Sequence, residues 1–317
     1  AGMRSSDDPF RGIIYVVCAT LLFASSDTIS KYLSGSLPII EFIWIRYMLN
    51  VGFALCLPRP APRPAQLSRH PVWQTLRGLC TAGSSVLFVL GVSRMTMAQA
   101  TTISFLSPLL VTILSIPLLR EVVGLRRRGA VAAGIAGMLI VVRPGFGGFQ
   151  PAALFGVGSS ACWALALILT RKLAADDPPR TTVLWSAATG AAVLSVALPF
   201  QAVWPSGWQL GLSLAMGVVA TGGQWLVILA HRAAAASVLA PIFYAQLLWS
   251  TLGGYLVFHS LPDEWTALGA AIIIASGLYT AHRERVRRGQ DWAGPARTAP
   301  GAVSQSTQAV AKSRVAV

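Results

Sequence analysis

Ten apolar runs, interrupted by short polar segments, constrain this chain more than any other feature. They cover residues 11–33, 38–57, 72–92, 97–119, 129–143, 151–172, 181–200, 208–231, 234–258 and 263–282. A helix needs about 20 apolar residues to cross the hydrocarbon core of a bilayer. Hydrophobic residues make up 54% of the chain and charged residues only 11%, whereas a soluble domain carries about 25% charged residues. The sequence therefore predicts an all-α integral membrane protein with ten transmembrane helices.

The basic residues lie mainly in every second connection between the runs. The net charge is +14, and Lys and Arg collect on the cytoplasmic side of membrane proteins. This pattern predicts a bacterial-type inner-membrane protein with both termini in the cytoplasm: residues 1–10 at the start, and a disordered tail over 284–317 rich in Ala, Pro, Ser, Gln and Thr. The expected partners of the basic residues are anionic membrane lipids rather than nucleic acid.

The chain also repeats itself. The stretch from Phe88 to Arg143 resembles the stretch from Ala230 to Arg283 at a shift of 140 positions, which places Gly129 on Gly269. A repeat of five helices crosses the membrane an odd number of times, so its second copy enters from the opposite side. We therefore expect two inverted five-helix repeats, residues 11–143 and 151–283, an architecture that recurs in secondary transporters.

The residues at the centre of the first repeat resemble a known family. From Ala98 the chain reads A-x-x-x-x-x-x-F-L-S-P-L, then Arg120-Glu121, and then a G-x-x-x-x-G-x-x-G pattern from Gly129. These features are similar to the EamA type of the drug/metabolite transporter superfamily, although the second half has Pro262-Asp263 where that family often has Gly-Glu. The resemblance implies transport of a small-molecule substrate without a cofactor, as in the amino-acid and metabolite exporters and above all the aromatic amino-acid exporters.

Ionisable residues inside membrane segments are costly and suggest function. Asp27 and Lys31 share one face of the first run, and Glu41 and Arg46 lie in the second. At 1.5 Å of rise per residue, Lys31 and Glu41 lie near the outer surface and Asp27 and Arg46 lie deeper. Two readings remain open. The four residues form a structural ladder of ion pairs, or Arg46 meets a substrate carboxylate and Asp27 a substrate ammonium group.

Aromatic, amide and hydroxyl side chains form a second candidate set near mid-depth. They are Trp163, Tyr244, Gln246, Ser104 and, closer to the inner end of its run, Trp185. An apolar pocket with a few polar groups suits a small zwitterion or an aromatic metabolite. The alternative is that Trp163 faces lipid and that the Tyr244 hydroxyl bonds a neighbouring helix.

Three further residues are candidates for gating. Pro108 and Pro241 each free a backbone carbonyl one turn earlier, which favours a hinge. Glu121 closes the fourth run beside Arg120, and the family resemblance implies a cytoplasmic gate there. A helix-end salt bridge with the neighbouring arginines is the alternative for Glu121.

No enzyme motif is present: the sequence has no H-E-x-x-H, P-loop or G-x-S-x-G, and its four cysteines lack metal-ligand spacing. We therefore expect neither a catalytic residue nor a metal site. The predicted function is a secondary transporter that exports aromatic or neutral amino acids and related metabolites by alternating access, as a uniporter or exchanger. A vitamin, nucleoside or drug transporter, a proton-coupled antiporter, a membrane-embedded enzyme and a scaffold subunit stay open, as does the oligomeric state.

Overall fold

A computed structural model describes residues 9–56, 68–119, 125–143, 150–173, 176–201, 203–234 and 236–292. The chain divides into one compact unit up to Ala281 and a second from His282 onward. The second is described only over its helical residues 282–292. Everything below concerns the first unit. Glu121, most of the 284–317 tail and residues 1–8 lie outside the described residues, so the predictions made for them stay predictions.

All regular structure in the described residues is helical. The helices are α1 (Pro9–Leu33), α2 (Ile39–Cys56), α3 (Pro71–Val92), α4 (Met97–Ser104), α5 (Ser107–Leu119), α6 (Leu125–Val142), α7 (Ala152–Leu173), α8 (Pro179–Ala197), α9 (Gly207–Ala233), α10 (Ala236–Leu239), α11 (Ala245–Phe258) and α12 (Glu264–Trp292). Short 3-10 turns cover Leu198–Phe200 and Ile242–Tyr244. The all-α prediction is confirmed for this part of the chain.

Seven helical segments in the described part of the chain are long and apolar enough to span a membrane. They are Phe10–Leu33, Ile39–Cys56, Pro71–Val92, Met97–Leu118, Ala152–Leu173, Arg180–Phe200 and Gly207–Ala233. Two shorter apolar helices, Arg128–Val142 and Ile242–Phe258, match the fifth and ninth apolar runs. The chain is thus an integral membrane protein.

Prolines interrupt two of the apolar runs. α4 ends at Ser104 and α5 begins at Ser107, so the turn between them lies directly before Pro108. The ninth run is divided into α10, a 3-10 turn and α11, with Pro241 at the start of that turn. Proline lacks the amide hydrogen that a continuing helix needs, and membrane helices tolerate such breaks where neighbours cover the backbone. Pro108 and Pro241 therefore lie at real breaks, as a hinge requires.

The helices pack in pairs that join the two halves of the sequence. The main partners are α1 with α9, α3 with α7 and α2 with α8. Small polar groups seal the α3–α7 pair, where the Ser84 and Ser159 hydroxyls lie 3.1 Å apart. Close backbone approach joins α6 to α12, because a Cβ atom added at Gly137 would lie 3.0 Å from the carbonyl oxygen of Gly269. Small residues permit this approach between membrane helices.

Candidate functional site

A cavity of about 310 Å³ lies among α1, α2, α3, α7, α8 and α9. This volume is within the range of small-molecule sites in proteins. The lining side chains are a mixture of aromatic, hydroxyl, carboxamide and charged groups. They include Phe23, Ser26, Asp27, Arg46, Tyr47, Asn50, Phe53, Arg77, Thr81, Ser85, Trp163, Ser186, Thr221 and Gln224. Ionisable side chains between apolar helices are costly, which makes this cavity the candidate functional site.

Asp27 and Arg46 both line this cavity, from α1 and α2. The Asp27 carboxylate accepts a hydrogen bond of 3.3 Å from the Gln246 amide of α11. Arg46 interacts with Asp27 electrostatically, but the two side chains form none of the salt bridges found among the described residues. The Arg46 guanidinium lies 5.7 Å from the ring centre of Tyr47. The structure thus brings Asp27 and Arg46 to one cavity, but no salt bridge forms between them.

The predicted ladder of ion pairs does not form between Lys31 and Glu41, both of which are described. The Lys31 ammonium donates instead to the carbonyl oxygen of Met95 at 2.6 Å and lies 4.8 Å from the ring centre of Phe258. The Glu41 carboxylate accepts from the backbone N–H of Val203 at 3.1 Å. The prediction fails for Lys31 and Glu41 because matching depth along two helices does not fix the direction in which each side chain points.

Arg77 is a cavity residue that sequence reasoning missed. It lies within α3, six residues after Pro71. Its guanidinium donates to the Thr170 hydroxyl at 2.6 Å, to the carbonyl oxygen of Thr182 at 3.0 Å and to the Ser186 hydroxyl. These acceptors lie on α7 and α8, so Arg77 ties three cavity helices together.

Unlike Arg77, the Arg46 guanidinium donates no hydrogen bond to any described residue. The Gln224 carboxamide likewise has no hydrogen-bond partner among the described residues. Asn50 lies one helical turn after Arg46, on the same face of α2. Its carboxamide lies 2.9 Å from the Thr221 hydroxyl of α9. Arg46, Asn50 and Gln224 therefore form a polar wall on α2 and α9, which we call the amide wall. No motif or spacing in the sequence points to Asn50 or Gln224.

The aromatic and amide set predicted from depth is divided between two places. Trp163 lines the cavity with 41% of its surface exposed, and Gln246 reaches it through Asp27. Tyr244 packs against Phe105 at 4.7 Å between ring centres and is not among the cavity-lining side chains.

Ser104 and Trp185 also lie apart from the residues found to line the cavity. The Ser104 hydroxyl donates to the carbonyl oxygen of Ala100 within its own helix at 2.9 Å. Trp185 is half-buried on α8, where Val183 and Ser186 are the neighbours that line the cavity. The structure therefore places Asp27, Arg46 and Trp163 in one site, with Gln246 behind Asp27.

Polar contacts outside the spans join the two halves of the chain at two further places. Arg143 forms a salt bridge with Asp263 and lies 5.5 Å from the ring centre of Trp265. In the second place, Asp177 precedes α8 and is 5% exposed. Burial by itself would raise the pKa of Asp177, but hydrogen bonds from Gln74, Ser68 and the backbone of Arg69, with the charge of His70, lower it.

No group of three or more His, Cys, Asp or Glu side chains that could hold a metal ion occurs within the described ranges. The chemistry of the cavity is therefore that of its hydrogen-bonding, charged and aromatic groups. These groups can hold and orient a polar aromatic solute of moderate size. Fold and site together define the class: a helical membrane protein with a cavity between its helices.

Comparison with known proteins places the chain within that class. The EamA-like transporter family matches residues 10–143 and again residues 150–280, so the chain belongs to this family. A solved protein structure that is 19% identical covers 87% of this chain and 98% of its own, with a TM-score of 0.59. At that identity the structure supports the fold alone.

The chain matches three curated relatives over nearly their whole length. An S-adenosylmethionine uptake transporter of Rickettsia prowazekii is 25% identical over 86% of this chain and 93% of its own. A riboflavin transporter of Vibrio cholerae is 29% identical over 86% and 94%, and a pseudopaline exporter of Pseudomonas aeruginosa is 25% identical over 84% and 94%. None of these three relatives is named as an aromatic amino-acid exporter. They therefore do not support the predicted resemblance to that group of exporters.

Proposed function

We propose that this protein is a secondary transporter that moves a small heteroaromatic metabolite through the cavity among α1, α2, α3, α7, α8 and α9 by alternating access. The observation that carries the proposal is this cavity of about 310 Å³, with charged, carboxamide and aromatic groups between apolar helices. Membership of a transporter family supports the same function.

Ten spans in two inverted repeats, residues 11–143 and 151–283, are part of this proposal. The family matches the two halves separately. Under the repeat, α1, α2 and α3 correspond to α7, α8 and α9. The packing of α1 on α9 then has its image in the packing of α7 on α3, and the α2–α8 pair is its own image. Pseudo-two-fold symmetry of this kind supports a substrate site at the interface of the repeats.

The orientation also belongs to the proposal. The distribution of Lys and Arg places both termini in the cytoplasm and the protein in a bacterial-type inner membrane. The Arg143–Asp263 salt bridge then lies at the outer side and the Asp177 cluster at the inner side. Each contact connects the first half of the chain to the second, so each is a candidate gate.

The proposed substrate class follows the relatives as well as the cavity. S-adenosylmethionine and riboflavin both carry a heteroaromatic ring, and Phe23 and Trp163 provide ring faces in the cavity of this chain. An aromatic or neutral amino acid is the second candidate. It is favoured by Asp27 and Arg46, which could meet the ammonium and carboxylate groups of a zwitterion in one cavity.

The expected mechanism is uniport or exchange. The sequence has no P-loop to power primary transport. Asp27 is the one carboxylate that lines the cavity among the described residues, so proton-coupled antiport through Asp27 is the alternative. In a uniporter, the concentration gradient of the substrate sets the direction of transport. In an exchanger, the gradient of the counter-substrate also contributes.

Uptake by proteoliposomes that contain the purified protein tests this proposal. The panel comprises radiolabelled riboflavin, S-adenosylmethionine, tryptophan and leucine, with and without a pH gradient, and empty liposomes as the control. We expect saturable uptake of a heteroaromatic solute that the pH gradient does not change. Saturable uptake of the amino acids alone would favour the second candidate, and uptake of no solute by folded protein would refute both proposed substrate classes.

A further inference from the structure

The amide wall of Arg46, Asn50 and Gln224 carries an inference about which solutes the cavity selects. We infer that Asn50 and Gln224 recognise an amide-like edge of the substrate ring through hydrogen bonds. On such an edge a hydrogen-bond donor and an acceptor lie side by side. Lactams, imides and amino-substituted nitrogen heterocycles have such an edge. This inference rests on the transport function proposed above and specifies its substrate class.

Asn50 has hydrogen-bond capacity that Thr221 does not use. The Thr221 hydroxyl has one proton and two acceptors in reach, the carboxamide oxygen of Asn50 at 2.9 Å and the carbonyl oxygen of Gly217 at 2.8 Å. When the proton goes to Asn50, the amino group of Asn50 remains for a ligand. When it goes to Gly217, the Asn50 carboxamide turns over, donates to Thr221 and presents its oxygen instead. Asn50 can thus offer either a donor or an acceptor.

Gln224 lies three residues after Thr221 and therefore on the same side of α9. Its carboxamide lines the cavity and has no hydrogen-bond partner in the described part of the chain. A primary carboxamide presents one acceptor and two donors. Two carboxamides on adjacent helices therefore match a ring edge with a neighbouring donor and acceptor, whichever of the two comes first.

One cationic and two aromatic side chains line the same cavity as the two carboxamides. Arg46 is one turn from Asn50 and can receive an anionic or carbonyl oxygen of the same solute. Trp163 and Phe23 line the cavity from α7 and α1 and offer apolar faces for the ring. An aromatic amino acid that binds through Arg46 and the aromatic faces would leave the Gln224 carboxamide without a partner and the remaining polar group of Asn50 unused. Unpaired polar groups in a site penalise a ligand that lacks the matching group.

Binding of paired ligands to the purified wild-type protein in detergent tests the inference without any mutation. The pairs are riboflavin against riboflavin methylated on its imide nitrogen, and adenosine against adenosine dimethylated on its exocyclic amine. In each pair the second ligand keeps the ring but loses the donor at its edge. We expect the blocked ligand to bind about tenfold more weakly than its parent in at least one pair, the loss expected for one hydrogen bond in a site.

Variants then assign the discrimination to the amide wall. Asn50→Leu and Gln224→Met keep side-chain size and remove the carboxamides, and we expect each to reduce the discrimination to less than about threefold. Gln150→Met is the matched control, because Gln150 lines a separate small pocket with Arg143 and Asp263. Size-exclusion profiles establish that each variant is folded.

The possible outcomes separate this inference from the transport function. Equal binding of both ligands in each pair, or discrimination that survives in both Asn50→Leu and Gln224→Met, would overturn the inference and leave transport intact. Binding of tryptophan but of neither parent heterocycle would overturn it in favour of the amino-acid candidate. If no solute in either panel is bound or transported, the proposed function fails and the inference fails with it.

Discussion

Replacing Asp177 with alanine should destabilise the protein through the loss of three hydrogen bonds. One carboxylate oxygen accepts from the Ser68 hydroxyl at 2.5 Å and from the Gln74 amide at 2.8 Å, and the other accepts from the backbone N–H of Arg69 at 3.1 Å. Gln74 is fully buried, so Asp177→Ala leaves its amide with only the Thr182 hydroxyl at 3.2 Å.

A hydrogen bond to a charged group contributes about 1.5–3 kcal/mol, and bonds that share one acceptor are not additive. We therefore expect Asp177→Ala to lower the free energy of unfolding by about 3–5 kcal/mol. Asp177→Asn keeps one acceptor oxygen and should cost about 1–2 kcal/mol. For a chain of this size each kcal/mol corresponds to roughly 2–3 °C in Tm. Intrinsic fluorescence during heating in detergent measures these shifts.

The pH dependence gives this prediction a second test. The pKa of Asp177 is lowered from its ordinary value of 3.8 in the folded protein. A lowered pKa means that the stabilisation is complete above the unfolded-state value and is lost as the pH falls through the folded-state value. The difference in Tm between wild type and Asp177→Asn should therefore be present at pH 5 and shrink below about pH 4.

Asp176→Asn is the matched control for Asp177. Asp176 pairs with His70 at 3.1 Å and with Arg69 at 4.0 Å, but its side chain is 41% exposed. Exposed pairs contribute about 0–1 kcal/mol, so the control should change Tm little. An Asp177→Ala protein as stable as Asp176→Asn, or a pH-independent difference for Asp177→Asn, would refute this reading of the cluster.

Three further predictions concern the cavity. Gly190→Ala should lower stability by about 1–3 kcal/mol, because the new Cβ would overlap the ring of Tyr47. Gly211→Ala has open space and should not lower stability in the same thermal assay. Arg77→Met should lower Tm by several degrees, since three acceptors on α7 and α8 lose their donor; an unchanged Tm would contradict the role of Arg77 as a tie. Uptake by Asp27→Asn, like uptake by wild type, should not depend on a pH gradient. A gradient effect that is present in wild type and absent from the variant would instead support proton-coupled antiport through Asp27.

The sequence was sufficient to predict most of the helices. Their apolar runs are long, and their ends coincide with polar or proline-containing segments, so seven spans match helices within a few residues. The ninth run was predicted as one helix but contains breaks on both sides of Pro241. Hydropathy does not register such breaks, because a broken segment covered by neighbouring helices stays as apolar as a continuous one.

The candidate site was predicted less completely. Depth along a helix follows from counting residues, and Trp163 lies near the middle of α7, as the count predicts. Direction around a helix depends on which neighbours pack on each side, and one sequence does not contain that information. Tyr244 therefore had a suitable depth but packs on Phe105. Asn50 and Gln224 lacked any motif, and only the packing of α2 on α9 brings them to one wall.

The most direct test of the central claim compares uptake by cavity variants with uptake by a control of the same type. Trp163→Ala and Arg46→Ala each remove a cavity-lining side chain, whereas Trp208→Ala removes a tryptophan that is 70% exposed at the start of α9. The cavity account predicts that proteoliposome uptake of the identified substrate falls at least about tenfold in both cavity variants and is unchanged in Trp208→Ala. Wild-type uptake in folded Trp163→Ala and Arg46→Ala proteins would show that the substrate takes another path.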